Sequence, residues 1–118
     1  FAHAYEASLG FSTKLNHGEA VILGMKTALN FSLKKALLNK NEYDTIINHI
    51  SNSNLPLSIN KFFKIKDLNK ILSFMIKDKK NNSNKINLIL LKKIGSPLIN
   101  KEYDRKSINL FLKNELSN

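Results

Sequence analysis

The chain has 118 residues, 42% of them hydrophobic, with no cysteine and a net charge of +10 from 19 Lys+Arg against 9 Asp+Glu. That is one domain's worth of chain, too short to hold a dinucleotide-binding domain and a second catalytic domain together. The absence of thiols excludes disulfides and thiolate metal sites, and no apolar run approaches the roughly 20 residues a membrane span needs.

The basic charge would suit a nucleic-acid surface. The lysines, however, are scattered over every segment, and a single arginine, Arg105, is present. The charge is therefore read as a Lys-, Asn- and Ile-rich composition, with no nucleic-acid partner and no membrane partner expected. No basic stretch followed by an apolar one marks a signal peptide, and a cytoplasmic location is expected. The chain starts at Phe1 rather than Met, and its first residues read as the inside of a helix. A truncated or processed chain is the expectation.

Residues 2–9 hold strong helix formers and no breaker, with Gly10 as the stop. A loop follows over 10–18, in which Asn16 is placed to cap the next helix. The longest helical signal runs from Glu19 to about Asn39. Ile22, Met25, Leu29, Leu33, Ala36 and Leu37 recur at helical spacing, and Lys26, Asn30 and Lys34 mark the opposite, wet face. Gly24 and Ala28 offer a small-residue stripe for close approach of another backbone. A shorter helix is expected from Glu42 to about Ile50, with His49 an ordinary surface histidine; Ser51 to Asn54 and Pro56 break it. Ile65, Leu68, Leu72, Met75 and Ile76 make an amphipathic helix with Asp67 as candidate cap, running into Lys77-Asp78-Lys79-Lys80. Asn81 to Asn84 read as a polar turn. Ile86 to Leu91 is short, aliphatic and strand-like, with Leu98-Ile99 as partner strand beyond Gly95 and Pro97. Asp104 precedes a last helix from about Arg105 to Leu116. The fold class is mainly α: a helical bundle with one small β-hairpin, a single domain over 1–118.

Chemistry concentrates at the beginning. His3 and His17 stand fourteen positions apart across a loop, with Glu6 and Glu19 nearby. The spacing permits both imidazoles to face one cleft, and carboxylates commonly orient histidines at metal sites. Two histidines alone are a weak metal signal, and capping or packing roles stay open. There is no His-Glu-x-x-His pair, no phosphate-cradling glycine loop and no nucleophile elbow.

The wording of these residues carries more than their spacing. His3-Ala4-Tyr5-Glu6-Ala7, then Leu15-Asn16-His17-Gly18-Glu19-Ala20-Val21, then Gly24-Met25, closely resembles the signature of the 3-dehydroquinate synthase family. Ala2 stands where glycine is common in that signature. Met75-Ile76-Lys77-Asp78-Lys79-Lys80 and the stretch Ile86 to Gly95 resemble later family segments, and residues 40–65 match only in helical character.

The resemblance implies the C-terminal metal- and substrate-binding domain of such an enzyme, whose NAD-binding domain has no counterpart in these residues. It implies conversion of 3-deoxy-D-arabino-heptulosonate 7-phosphate to 3-dehydroquinate and phosphate, with bound NAD, a zinc or other divalent metal, and a homodimer as the complete enzyme. His17 matches the last metal ligand of the family; the other two, a Glu and a His, would lie upstream of Phe1. His3 matches a second active-site histidine, which contacts substrate and moves a proton. Lys79 and Lys80 match a basic pair that reaches the substrate carboxylate or phosphate, although a solvated helix end is also open. Glu19 is expected to cap or orient, and Tyr5 and Met25 to be core. The 118 residues alone are expected to be inactive. Three other readings are another NAD- and metal-dependent sugar-phosphate cyclase, a small basic helical nucleic-acid-binding domain, and a helical interaction module.

Overall fold

The computed structural model describes residues 1–53, 58–76 and 85–117. Among the described residues, five helices and one hairpin follow in the order α1 (Ala2–Ser8), α2 (His17–Lys34), α3 (Lys40–Asn52), α4 (Leu68–Met75), β1 (Lys85–Lys93), β2 (Ser96–Asp104) and α5 (Arg105–Ser117). Short 3-10 turns over Ile59–Lys61 and Ile65–Asp67 lead into α4. The expected fold class is the one observed: a helical domain with a two-stranded antiparallel sheet.

Helix α1 stops as its glycine dictates. Gly10 has a φ of 66°, and its N–H donates to the Ala7 carbonyl while that of Phe11 donates to Glu6 (3.0 and 2.9 Å). These are the paired bonds of a Schellman cap, which needs the left-handed conformation glycine takes without strain. Helix α2 begins at a capping box: the Asn16 side chain accepts from the Glu19 N–H at 2.8 Å, and Glu19 Oε1 accepts from the Asn16 N–H at 3.1 Å.

The far end of α2 departs from expectation. The helix stops at Lys34 rather than near Asn39. Ala36 adopts a φ of 58°, and Leu37 N–H donates to the Ser32 carbonyl at 2.9 Å while Ala36 N–H donates to Leu33 at 3.0 Å. This is a second Schellman cap, built without glycine. Asn39 then caps α3, accepting from Glu42 N–H at 2.8 Å, so α3 starts at Lys40 rather than Glu42. Asp67 sits at the start of α4, but its carboxylate accepts from the Lys64 N–H (2.8 Å) and braces the preceding turn.

Helix α2 is two-sided. Ala20, Leu23, Gly24, Thr27 and Phe31 face the main core with Tyr5, Phe63, Ile71, Leu72, Ile108 and Leu112. Leu29, with Ile22, packs into a second cluster with Leu38, Ile50, Tyr43, Ile46 and Ile47 under α3. Met25, expected in the core, is 49% exposed. The face of small residues turns inward because α1 crosses there; the bulkier stripe lies to the side. Lys26 and Asn30 are half-buried rather than wet. The Asn30 amide donates to Glu115 Oε2 of α5 at 3.1 Å and its oxygen accepts from the Tyr43 hydroxyl.

The hairpin obeys the two-residue period of a half-buried strand. Ile86, Leu88 and Leu90 are buried, and Ile89 points out. Leu90 pairs with Leu98 and Leu91 with Pro97, around a turn with Gly95 at φ 81°. Ser32 of α2 accepts the Leu91 N–H at 3.0 Å, joining strand to helix. Tyr103 and Phe111 both meet Phe31 edge-on, at 4.8 and 4.9 Å between ring centres.

Candidate metal and substrate site

The site is built on the crossing of α1 and α2. A Cβ on Gly24 would lie 2.7 Å from the Ala2 Cβ and 2.8 Å from the Ala2 nitrogen, so α1 starts in backbone contact with α2. One turn further on, Tyr5 is fully buried and donates its hydroxyl to Thr27 Oγ1 (2.7 Å), while the Thr27 hydroxyl donates to the Leu23 carbonyl (2.7 Å). Burial pushes the Tyr5 phenol far above its ordinary value, against the lowering effect of the Thr27 hydrogen bond. The expectation that Tyr5 is core is met. The two contacts fix the spacing and rotation of the helices that carry His3 and His17.

His17 is the first residue of α2. Its side chain is 79% exposed, and Nδ1 lies 2.9 Å from Oε1 of Glu6, whose side chain is only 16% exposed. Glu6 thus reaches from α1 to the imidazole at the head of α2. Glu19, the other nearby carboxylate, is engaged by the capping box, as its position suggested. His3 is exposed and sits three residues before Glu6, on the same face of α1. Its ring centre lies 6.1 Å from that of Phe11, just past the α1 cap.

His3 also lines a largely apolar cleft of about 460 Å3 with Phe1, Val21, Met25, Phe74 and Ile89. A second apolar cleft, of about 520 Å3, runs between α2, α3 and the hairpin turn past Met25, Ile46 and Ile94. His49, read as a surface histidine, is exposed and lies on its rim. Lys79 and Lys80 lie outside the described residues.

Among the described residues no three His, Asp or Glu side chains converge on a point that could hold a metal ion. The donor chemistry present is one imidazole whose Nδ1 meets a carboxylate. That is how metal-bound histidines are commonly braced, with the other ring nitrogen left for the ion. His17 therefore suits one position of a metal site, not a whole one. The Glu6 contact could be foreseen from sequence only as a nearby carboxylate; the turn between α1 and α2 makes it specific.

The family model for the 3-dehydroquinate synthase C-terminal region matches residues 1–81, the segment that contains His3, His17 and the α1–α2 crossing. The chain belongs to this family. Over 117 residues it is 62% identical to the 3-dehydroquinate synthase of Pelagibacter ubique (strain HTCC1062), covering 99% of this chain and 32% of that protein. The 3-dehydroquinate synthase of Zymomonas mobilis subsp. mobilis is 35% identical over 117 residues, 99% of this chain and 31% of that protein. The chain thus spans about a third of the length of these curated relatives. Among solved structures, a 2-deoxy-scyllo-inosose synthase crystallised with carbaglucose-6-phosphate, NAD+ and Co2+ superposes with a TM-score of 0.69. It covers 98% of this chain and 34% of that one at 17% identity, a likeness of fold. No helix among the described residues is long and apolar enough to cross a membrane.

Proposed function

We propose that these residues work as the C-terminal, metal- and substrate-binding domain of a 3-dehydroquinate synthase, a phosphorus–oxygen lyase. The complete enzyme converts 3-deoxy-D-arabino-heptulosonate 7-phosphate to 3-dehydroquinate and phosphate, in the cytoplasm and as a homodimer. The observation that carries the reading is the His17–Glu6 pair at 2.9 Å, formed inside the family-matched segment. The 62% identity to a named synthase favours this reaction over that of another cyclase.

His17 Nε2 is the nitrogen free to ligate a divalent metal, zinc on this reading, with the remaining ligands supplied from outside residues 1–118. A metal held there would supply Lewis-acid polarisation of the substrate hydroxyls, and NAD, held outside these residues, would supply the hydride exchange of the complete enzyme. The NAD+ and Co2+ in the structural neighbour support that pair of cofactors. His3, exposed at the mouth of the α1–α2 cleft, contacts substrate and moves a proton at the hydroxyl being oxidised. Lys79 and Lys80 bind the substrate carboxylate or phosphate as point charges.

The test is a phosphate-release assay on the complete synthase, with dehydroquinate identified as co-product. Replacing His3 with Ala is expected to lower kcat by roughly 10^2–10^4-fold, the usual share of a positioned acid–base group. The 118 residues alone are expected to give no product. Turnover by the isolated chain, or an unchanged kcat in His3→Ala, contradicts the proposal.

A further inference from the structure

We infer that Glu6 is the positioning residue for His17, fixing its tautomer so that Nε2 faces outward with a free lone pair; this rests on the reading of His17 as a metal ligand. Both ends of the contact are anchored. Glu6 stands between buried Tyr5 and buried Ala7 on α1, and its carboxylate is largely covered. His17 is tied at its backbone to the Asn16–Glu19 capping box, while its ring stands out in solvent. The carboxylate is therefore the fixed partner and the imidazole the one being held.

The fold does not depend on this contact. The α1–α2 crossing is already set by Gly24 against Ala2 and by the Tyr5–Thr27 hydrogen bond, and an ion pair with one partner so exposed adds little stability. What the contact changes is the ring. An ionised carboxylate can only accept, so Nδ1 must donate to it. That places the imidazole proton on Nδ1 and leaves Nε2 unprotonated, whereas an unheld neutral imidazole favours the Nε2–H form. Glu19 cannot substitute, because its carboxylate is engaged by the Asn16 N–H. Glu6 itself touches neither substrate nor metal in this scheme.

Two readouts on the complete synthase test the inference, besides turnover. One is the 15N shift of His17 in the metal-free, 15N-histidine-labelled protein above the titration range of the ring. The other is Co2+ affinity, followed by visible absorption. The wild type is expected to show Nδ1–H. Glu6→Ala moves the ring towards Nε2–H and weakens Co2+ binding by roughly 10–100-fold, with the unfolding midpoint nearly unchanged. Glu6→Gln, which keeps an acceptor oxygen, recovers part of both. His17→Ala, as the reference, loses Co2+ binding. Wild-type Co2+ affinity and an unaltered ring tautomer in Glu6→Ala would overturn the role of Glu6 while leaving His17 a ligand. Undiminished Co2+ binding in His17→Ala would overturn the ligand reading itself.

Discussion

At the scale of single residues, the α1–α2 crossing turns on one buried hydroxyl pair. Thr27 donates to Leu23 and so must accept from Tyr5. Thr27→Val keeps the shape and leaves the Tyr5 hydroxyl without an acceptor in a fully buried position. The expected loss is about 1–3 kcal/mol, the usual penalty for an orphaned buried donor. The Thr27→Val/Tyr5→Phe double variant, with both polar groups gone, should recover most of it; urea unfolding of the three proteins measures this. Tyr5 also sets an alkaline limit. Its folded pKa is raised by burial from a reference of 10.0, and that of Tyr43 is raised by burial and by the Glu115 and Asp44 charges. The sign follows from linkage. Above pH ~10 the unfolded tyrosines ionise while the folded ones hold their protons, so stability present below that pH is lost as pH rises. The melting temperature is expected to fall between pH 9 and 11, and to fall less in Tyr5→Phe. The head of α2 was legible at this scale because it rests on local signals. Asn16, His17 and Glu19 lie within one turn of chain, and the capping box needs only the three-residue step from Asn16 to Glu19. The partnership of Glu6 with His17 spans eleven residues and a Schellman turn, and sequence gives proximity there without a bond.

At the scale of elements, α2 shows why periodicity alone finds one of two buried faces. The stripe Ile22–Met25–Leu29–Leu33 is more hydrophobic than Ala20–Gly24–Thr27, yet the latter is the face that α1 covers. Close approach of two backbones selects small side chains, and small side chains weigh little in a hydrophobic pattern. Gly24 signalled that approach; which helix would make it was not written in the spacing. The end of α2 was hidden for a related reason. A left-handed cap is normally announced by glycine, and here Ala36 occupies it. Gly24→Ala tests the crossing. Alanine is favoured over glycine within a helix by about 1 kcal/mol, but its Cβ would overlap Ala2, and overpacking of this kind costs about 1–3 kcal/mol. A lower denaturant midpoint is expected, with α1 displaced from α2. A raised midpoint would show that α1 moves aside freely.

At the scale of the molecule, the hairpin and helix count followed from turn residues and alternation, and the core from the amphipathic pattern of α4 and α5. The two apolar clefts did not, because each is assembled from segments distant in sequence: α1, α2, α4 and β1 for one, α2, α3 and the hairpin turn for the other. The chain spans about a third of the length of its curated relatives. On the proposed function, residues 1–118 contribute His17, held by Glu6, and His3. The most direct test is the metal content of the complete synthase carrying His17→Ala, measured by elemental analysis after dialysis, with far-UV circular dichroism to confirm the fold. Well under one equivalent of divalent metal per chain is expected, against close to one in the wild type. A full equivalent retained by the folded variant would contradict it.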